Sequence, residues 1–118
     1  MEMARRLGIK DGDAIAVVNE PPDFWKLLDP LPPGVEVHER AARPLDVIVY
    51  FSDTFSNIER RVPAFAGMVA SGGSVWVGHP KESIATALVD RVGARAGLAT
   101  AELIGAGGGW SLRRLKKR

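Results

Sequence analysis

The chain has 118 residues, 46% hydrophobic and 25% charged, with a formal net charge of +2, which is typical of one globular domain spanning residues 1–118. It contains no cysteine, which excludes disulfides, thiolate chemistry and cysteine-ligated zinc and agrees with a reducing cytoplasm. No apolar run approaches the roughly 18 residues of a membrane helix, and residues 1–10 lack the apolar segment of a secretory signal, so we expect a cytoplasmic location and no membrane partner.

The positive charge is unevenly distributed along the chain. Five basic residues lie near its end, and removing them from a net charge of +2 leaves −3 for the remainder. This pattern predicts a mildly acidic domain with a basic tail, and such a tail could bind phosphate groups or simply increase solubility. The five residues are Arg113, Arg114, Lys116, Lys117 and Arg118.

Two short strands are predicted in the first third of the chain. Residues 14–18 are apolar without polar alternation, which is typical of a central strand covered on both faces. Pro21 and Pro22 end this strand, and a short helix is predicted over residues 24–28. Residues 35–37 form a strand short enough to lie at the edge of the sheet, which leaves homodimerisation open.

Residues 44–80 form the unit around which the fold is organised. An apolar run at 47–51 is followed by a helix-period segment, a Gly-Gly turn and a second apolar run at 75–77. This order predicts two buried parallel strands joined by a crossover helix. Ser56 and Glu59 have the spacing of a capping box, and Pro63 is expected to kink or split the helix.

A second helix and a hairpin are predicted for the rest of the chain. Ile84, Leu88 and Val92 recur four apart and predict an apolar helical stripe, and Gly97 is a natural position for the helix end. Strands at residues 100–104 and 111–115 then flank a glycine-rich loop, which is typical of an antiparallel hairpin. The elements together predict an α/β fold with a mostly parallel sheet.

Four segments carry a resemblance to a known fold: LGIKDGDAIAVVNEPPDF, PLDVIVYF, SGGSVWVGHP and the closing hairpin. They resemble strands of a truncated class I methyltransferase fold, the Rossmann-like sheet that binds S-adenosylmethionine. The chain also resembles a family of short bacterial proteins of unknown function, through Trp76, Val77, Pro80, Lys81 and Trp110. The resemblance implies a single Rossmann-like three-layer domain with a C-terminal antiparallel hairpin, and it implies no particular activity.

The chain also departs from the methyltransferase pattern. The first loop of that family is glycine-rich, which lets the backbone approach the cofactor, whereas residues 19–23 here are Asn-Glu-Pro-Pro-Asp. The third strand of the family and its flanking helix have no counterpart, since only residues 39–44 join the second strand to the central unit. Glu39 follows the second strand, where the family places a carboxylate for the ribose hydroxyls. We expect no cofactor, with S-adenosylmethionine as the alternative.

The carboxyl ends of the parallel strands define the candidate site, because open α/β sheets bind ligands at that edge. Polar groups there could bind an anion or transfer protons, although helix-start and loop roles are the simpler interpretation. Trp25 and Trp76 are predicted to lie in the core. We find no catalytic residues and no metal-ligand spacing in the sequence. The candidate ligand edge comprises Asn19, Glu20, Glu39, Asp53, His79, Lys81 and Trp110.

Three functions agree with these features. The first is a non-catalytic module that binds a partner protein or a small ligand, and the missing glycines and the lack of a catalytic set favour it. The second is a degenerate methyltransferase relative that uses Asn19, Glu39, Asp53 and His79. The third is a nucleic-acid-associated protein that uses residues 113–118.

Overall fold

The computed structural model describes residues 2–39 and 44–118, so the predicted connection through residues 40–43 lies outside the described residues. Within these two ranges, no helix is long and apolar enough to cross a membrane. The helices there are α1 (Glu2–Arg6), α2 (Phe24–Leu28), α3 (Phe55–Met68) and α4 (Thr86–Arg95). The strands are β1 (Ala14–Val18), β2 (Glu36–His38), β3 (Leu45–Phe51), β4 (Val69–Pro80), β5 (Ala99–Gly107) and β6 (Trp110–Lys116).

The strands form one sheet in the order β2-β1-β3-β4-β6-β5. β1 runs parallel to β2 and β3, and β3 runs parallel to β4, whereas β6 is antiparallel to both β4 and β5. Side chains of α1 and α2 pack on one face of the sheet, and side chains of α3 and α4 pack on the other. The predicted three-layer α/β fold with a closing antiparallel hairpin is therefore confirmed.

The two cores are separated by the alternation of side chains along the strands. Val75 and Val77 of β4 pack with α3 and α4, whereas Trp76 between them packs with α1 and α2. The indole Nε1 of the fully buried Trp76 donates a hydrogen bond to the carbonyl oxygen of Leu7 at 3.0 Å. Trp76 is thus a core residue, as predicted, and it fixes the segment after α1 to the sheet.

The prediction that Trp25 lies in the core is wrong, because its side chain is 38% exposed. Phe24 and Leu28, which are four residues apart on α2, occupy the buried face of this five-residue helix. Trp25 therefore points away from that face, and its indole N–H donates to Glu20 instead of to a core acceptor.

The start of α3 differs from the predicted capping box. The N-cap residue is Thr54 and makes no side-chain capping hydrogen bond, while Ser56 already lies inside the helix. The hydroxyl of Ser52 accepts a hydrogen bond from the Thr54 N–H at 3.2 Å and so makes the local turn that precedes the helix. The helix is not split at Pro63, which is exposed. The helix continues to Met68, and buried residues on both sides of the proline pack it against the sheet.

Two members of the stripe predicted for α4, Ile84 and Val92, are buried, whereas the third, Leu88, is exposed. The predicted helix end is confirmed. The helix begins at Thr86, after Ile84, so Val89 rather than Leu88 faces the sheet. Gly97 has a φ of 81°, and the Leu98 N–H donates to the carbonyl oxygen of Gly93 at 2.9 Å. This is a Schellman closure, in which glycine supplies the left-handed residue.

The description of residues 113–118 as a basic tail is wrong. Most of them belong to β6, which lies between β4 and β5, because the fully buried Leu115 holds the segment in the sheet. Arg113 pairs with Asp90 at 2.9 Å, and Arg114 pairs with Glu102 at 3.0 Å. The pKa of Glu102 is lowered, mainly by a hydrogen bond to its own backbone. Slight desolvation opposes this shift, and the charge of Arg114 adds to it.

Lys117 has a structural role that its sequence position does not reveal. Its Nζ donates to the carbonyl oxygens of Ala66 at 2.8 Å and Val69 at 2.9 Å, at the C-terminal end of α3. We expect Lys117→Met to reduce the free energy of unfolding by about 1–2 kcal/mol, because it removes a cation from a helix C-terminus. Urea denaturation measures the loss, and Lys116→Met, which changes an exposed side chain, is the control. Equal effects of the two substitutions would contradict this role.

Candidate functional site

The carboxyl ends of β1 and β3 meet at the point where the strand order reverses. β2 lies on one side of β1 and β3 on the other, and open α/β sheets bind ligands outside such a point. Here the side chain of Asn19 spans the two strand ends, since its Nδ2 donates to the carbonyl oxygen of Phe51 at 3.0 Å. One N–H donor of the amide that the sequence places at this edge is therefore already engaged within the protein.

The loop that follows β1 has an unusual backbone. Asn19 and Asp23 have φ values of 62° and 71°, in the left-handed region that residues other than glycine rarely adopt. Pro21 and Pro22 lie between them and provide no backbone N–H donor. Glu20 is held in place because its carboxylate accepts a hydrogen bond from the Trp25 indole at 2.9 Å. Strained residues of this kind cluster at functional sites.

A cavity of about 640 Å³ lies beside this loop, between α2 and the β5–β6 hairpin. Its volume is within the range of small-molecule sites in proteins. Asp23 and Lys26 also line it, and they form an exposed ion pair at 3.2 Å. We call it the hairpin groove, and its apolar wall consists of Pro21, Pro22, Phe24, Leu27, Ala106 and Trp110.

Three aromatic rings form a cluster at this groove. The ring of Phe51 packs edge-on against Phe24, with ring centroids 4.8 Å apart, and against Trp110, with centroids 5.3 Å apart. Gly78 makes room for this arrangement, because a Cβ atom at that position would lie 2.4 Å from Cδ2 of Phe51. Sequence reasoning missed Phe24, Phe51 and Gly78. The available signal was a glycine directly after the apolar run at residues 75–77, because a glycine in a strand often marks a close approach.

His79 lies on the opposite face of the sheet from the hairpin groove. It is buried, with 1% exposure, and it contacts the start of α4: its Nε2 lies 3.2 Å from the hydroxyl oxygen of Thr86. Its Nδ1 lies 3.3 Å from the carbonyl oxygen of Pro80. A ring protonated on Nδ1 donates to that carbonyl and accepts from the hydroxyl, so both nitrogens have partners inside the fold. The sheet separates His79 from Trp110.

The remaining members of the candidate edge directly follow or lie close after the carboxyl ends of β2, β3 and β4. Asp53, Lys81 and Glu39 are exposed, and Glu39 is the last described residue before position 44. The backbone N–H of Lys81 donates to the carbonyl oxygen of Gly109 at 2.9 Å, which ties the end of β4 to the hairpin turn. Trp110 lines the hairpin groove. Over residues 2–39 and 44–118, no group of three or more acidic or histidine side chains could hold a metal ion.

Solved structures share the fold of this chain, although no family model and no curated protein matches it in sequence. The class that these structures define is the class I methyltransferase-like fold, and the chain has a truncated version of it, as the sequence predicts. Because the sequence identities are below 25%, the likeness establishes the fold alone.

Three structures illustrate the similarity. TrmN from Thermus thermophilus has a TM-score of 0.68 and 13% identity, and the match covers 99% of this chain and 47% of TrmN, about half its length. The 16S rRNA methyltransferase RsmC from T. thermophilus, in complex with AdoMet and guanosine, has a TM-score of 0.59 and 16% identity, with 89% of this chain and 35% of RsmC covered. A chain of the Haloferax volcanii complex that contains the Trm112 methyltransferase activator has a TM-score of 0.70 and 11% identity, with 98% and 87% covered.

Proposed function

We propose that this chain is a non-catalytic Rossmann-like binding module whose ligand or partner protein contacts the hairpin groove. The hydrogen bond from Asn19 Nδ2 to the carbonyl oxygen of Phe51 carries the proposal. It occupies a donor and an acceptor at the strand ends, which is where this fold class otherwise binds its ligand. The open and mostly apolar surface lies beside that point, in the groove.

The polar groups around the groove support a role in binding rather than catalysis. Asp23 is paired with Lys26, and both side chains are largely exposed. Residues that act as general acids or bases usually lie in a desolvated environment, which neither side chain has. His79 faces the other side of the sheet. A protein partner agrees with the precedent of the Haloferax complex, in which a chain of this fold occurs with an activator protein.

A degenerate methyltransferase relative that binds S-adenosylmethionine is the second candidate. Asn19 and Asp23 favour it, because they adopt the backbone conformation that glycines supply in cofactor loops. RsmC, which has this fold, was solved with AdoMet. The remaining residues fit the cofactor poorly, since Pro21 and Pro22 offer no N–H donor and one N–H of the Asn19 amide is already engaged. The nucleic-acid alternative is less supported, because Arg113, Arg114 and Lys117 have partners within the fold.

A thermal-shift series distinguishes the first two candidates. The purified protein is heated with S-adenosylmethionine, S-adenosylhomocysteine, common nucleotides or phosphate, and we expect no change in Tm. A ligand at about 100 times its Kd would stabilise the fold by about 2.7 kcal/mol and raise Tm by several degrees. A shift with S-adenosylhomocysteine that disappears in Glu39→Gln and persists in Glu36→Gln would overturn the proposal in favour of the methyltransferase relative.

A further inference from the structure

Large apolar side chains are exposed on both sides of α2. Trp25 is 38% exposed and Leu27 is 45% exposed, and Lys26 lies between them. Leu27 lines the hairpin groove, whereas Trp25 lines a second cavity of about 310 Å³ together with Asp29 and Leu31. Exposed tryptophan with neighbouring aliphatic side chains is typical of interaction surfaces.

The second cavity lies next to the groove, because Lys26 lines both of them. The helix α2 is therefore a short ridge between two apolar depressions. A small molecule in one depression leaves the apolar side chains of the other exposed. An extended polypeptide that crosses α2 covers both, because alternate side chains of an extended chain point in the same direction and can enter successive pockets.

The charge on this surface is negative. Three carboxylates, those of Glu20, Asp23 and Asp29, lie on or beside the two cavities, and Lys26 is the one cation that lines them among the described residues. Lys26 pairs with Asp23, which leaves the charges of Glu20 and Asp29 to be matched by a partner. Complementary charge increases the association rate and discriminates against partners of the same sign.

We propose that the hairpin groove and the α2 ridge bind an extended basic segment of a partner protein, with at least one large apolar residue between lysines or arginines. This inference rests on the proposed binding function and specifies its partner. The loop of residues 19–23 is preorganised by its two prolines and by the Glu20–Trp25 hydrogen bond, so the surface loses little freedom on binding.

Two matched probe peptides test the proposal: Lys-Leu-Lys-Trp-Lys and its acidic counterpart Glu-Leu-Glu-Trp-Glu. Each is titrated into the 118-residue protein labelled with ¹⁵N, and the three indole N–H signals are followed. We expect the basic peptide to shift the signals of Trp25 and Trp110 and to leave that of the buried Trp76 unchanged. The acidic peptide is expected to bind at least tenfold more weakly.

Charge variants sharpen the test. The double substitution Glu20→Gln with Asp29→Asn is expected to weaken binding of the basic peptide about three- to tenfold, and added salt to weaken it as well. The control is Glu59→Gln with Asp11→Asn, which removes two exposed carboxylates that line neither cavity, and it is expected to leave the affinity unchanged. Trp25→Ala with Leu27→Ala should abolish the shifts, and an unchanged Trp76 signal shows that the fold is retained.

Other outcomes would overturn the inference in distinguishable ways. Equal binding of both peptides, or preference for the acidic one, refutes the basic partner but leaves the binding module intact. Shifts of the Trp25 and Trp110 signals with protein concentration alone would show that a second copy of the chain covers this surface. If neither peptide shifts these signals and S-adenosylhomocysteine raises Tm, both the inference and the proposed function are refuted.

Discussion

Trp76→Ala is expected to lower the free energy of unfolding by about 3–5 kcal/mol. The indole of Trp76 is completely buried between the sheet and the layer formed by α1 and α2, and its N–H satisfies the buried carbonyl of Leu7. Its removal leaves a cavity and an acceptor without its donor. Since small domains have about 5–15 kcal/mol of stability in total, the variant should unfold at a much lower urea concentration.

Trp76→Phe separates the two contributions. Phenylalanine retains much of the apolar volume but not the N–H, so we expect a loss of about 1–3 kcal/mol from the unsatisfied Leu7 carbonyl and the smaller ring. Trp25→Ala is the matched control, because it truncates the same residue type at an exposed position and should cost less than about 1 kcal/mol. A comparable loss from Trp25→Ala and Trp76→Ala would contradict the assignment of Trp76 to the core.

Gly78→Ala is expected to destabilise the protein by about 1–3 kcal/mol and to disturb the hairpin groove. The added methyl group would overlap the ring of Phe51, which contacts the rings of Phe24 and Trp110. The substitution is therefore expected to displace the ring of Phe51 and, with it, the aromatic cluster. Urea denaturation measures the stability, and the Trp110 indole signal reports the change at the groove.

Gly105→Ala is the control for this prediction. Gly105 also lies in a strand, but a Cβ atom there meets nothing within 4 Å and its φ is not positive. We expect no loss of stability from it, and a small gain is reasonable because alanine restricts the unfolded chain. An unchanged Trp110 signal in Gly78→Ala would show that the groove does not depend on the space left by this glycine.

The composition of the hairpin groove explains why sequence reasoning identified only part of the site. Its two walls come from residues 21–27 and 106–110, which are far apart in the chain and are brought together because β6 inserts between β4 and β5. Trp110 is conspicuous in the sequence because it directly precedes the last predicted strand, as in the family of short bacterial proteins that the chain resembles. Phe24 and Leu27 were read only as helix residues, since nothing local distinguishes a groove-lining residue from a core residue.

The sequence by itself determined the features that depend on short-range chemistry. The apolar run of β1, the crossover unit around α3 and the Gly97 helix end were all predicted. Hydrophobic periodicity and the left-handed conformation of a glycine at a helix end depend only on a few neighbouring residues. The resemblance to methyltransferase strands likewise identified the fold. Only the tertiary structure decided which side of the sheet His79 faces, that Trp25 is exposed, and that the strand predicted at residues 111–115 lies between β4 and β5. These three features depend on which distant elements cover each face of the sheet. Packing across the whole sheet, rather than neighbouring residues, decides which elements those are.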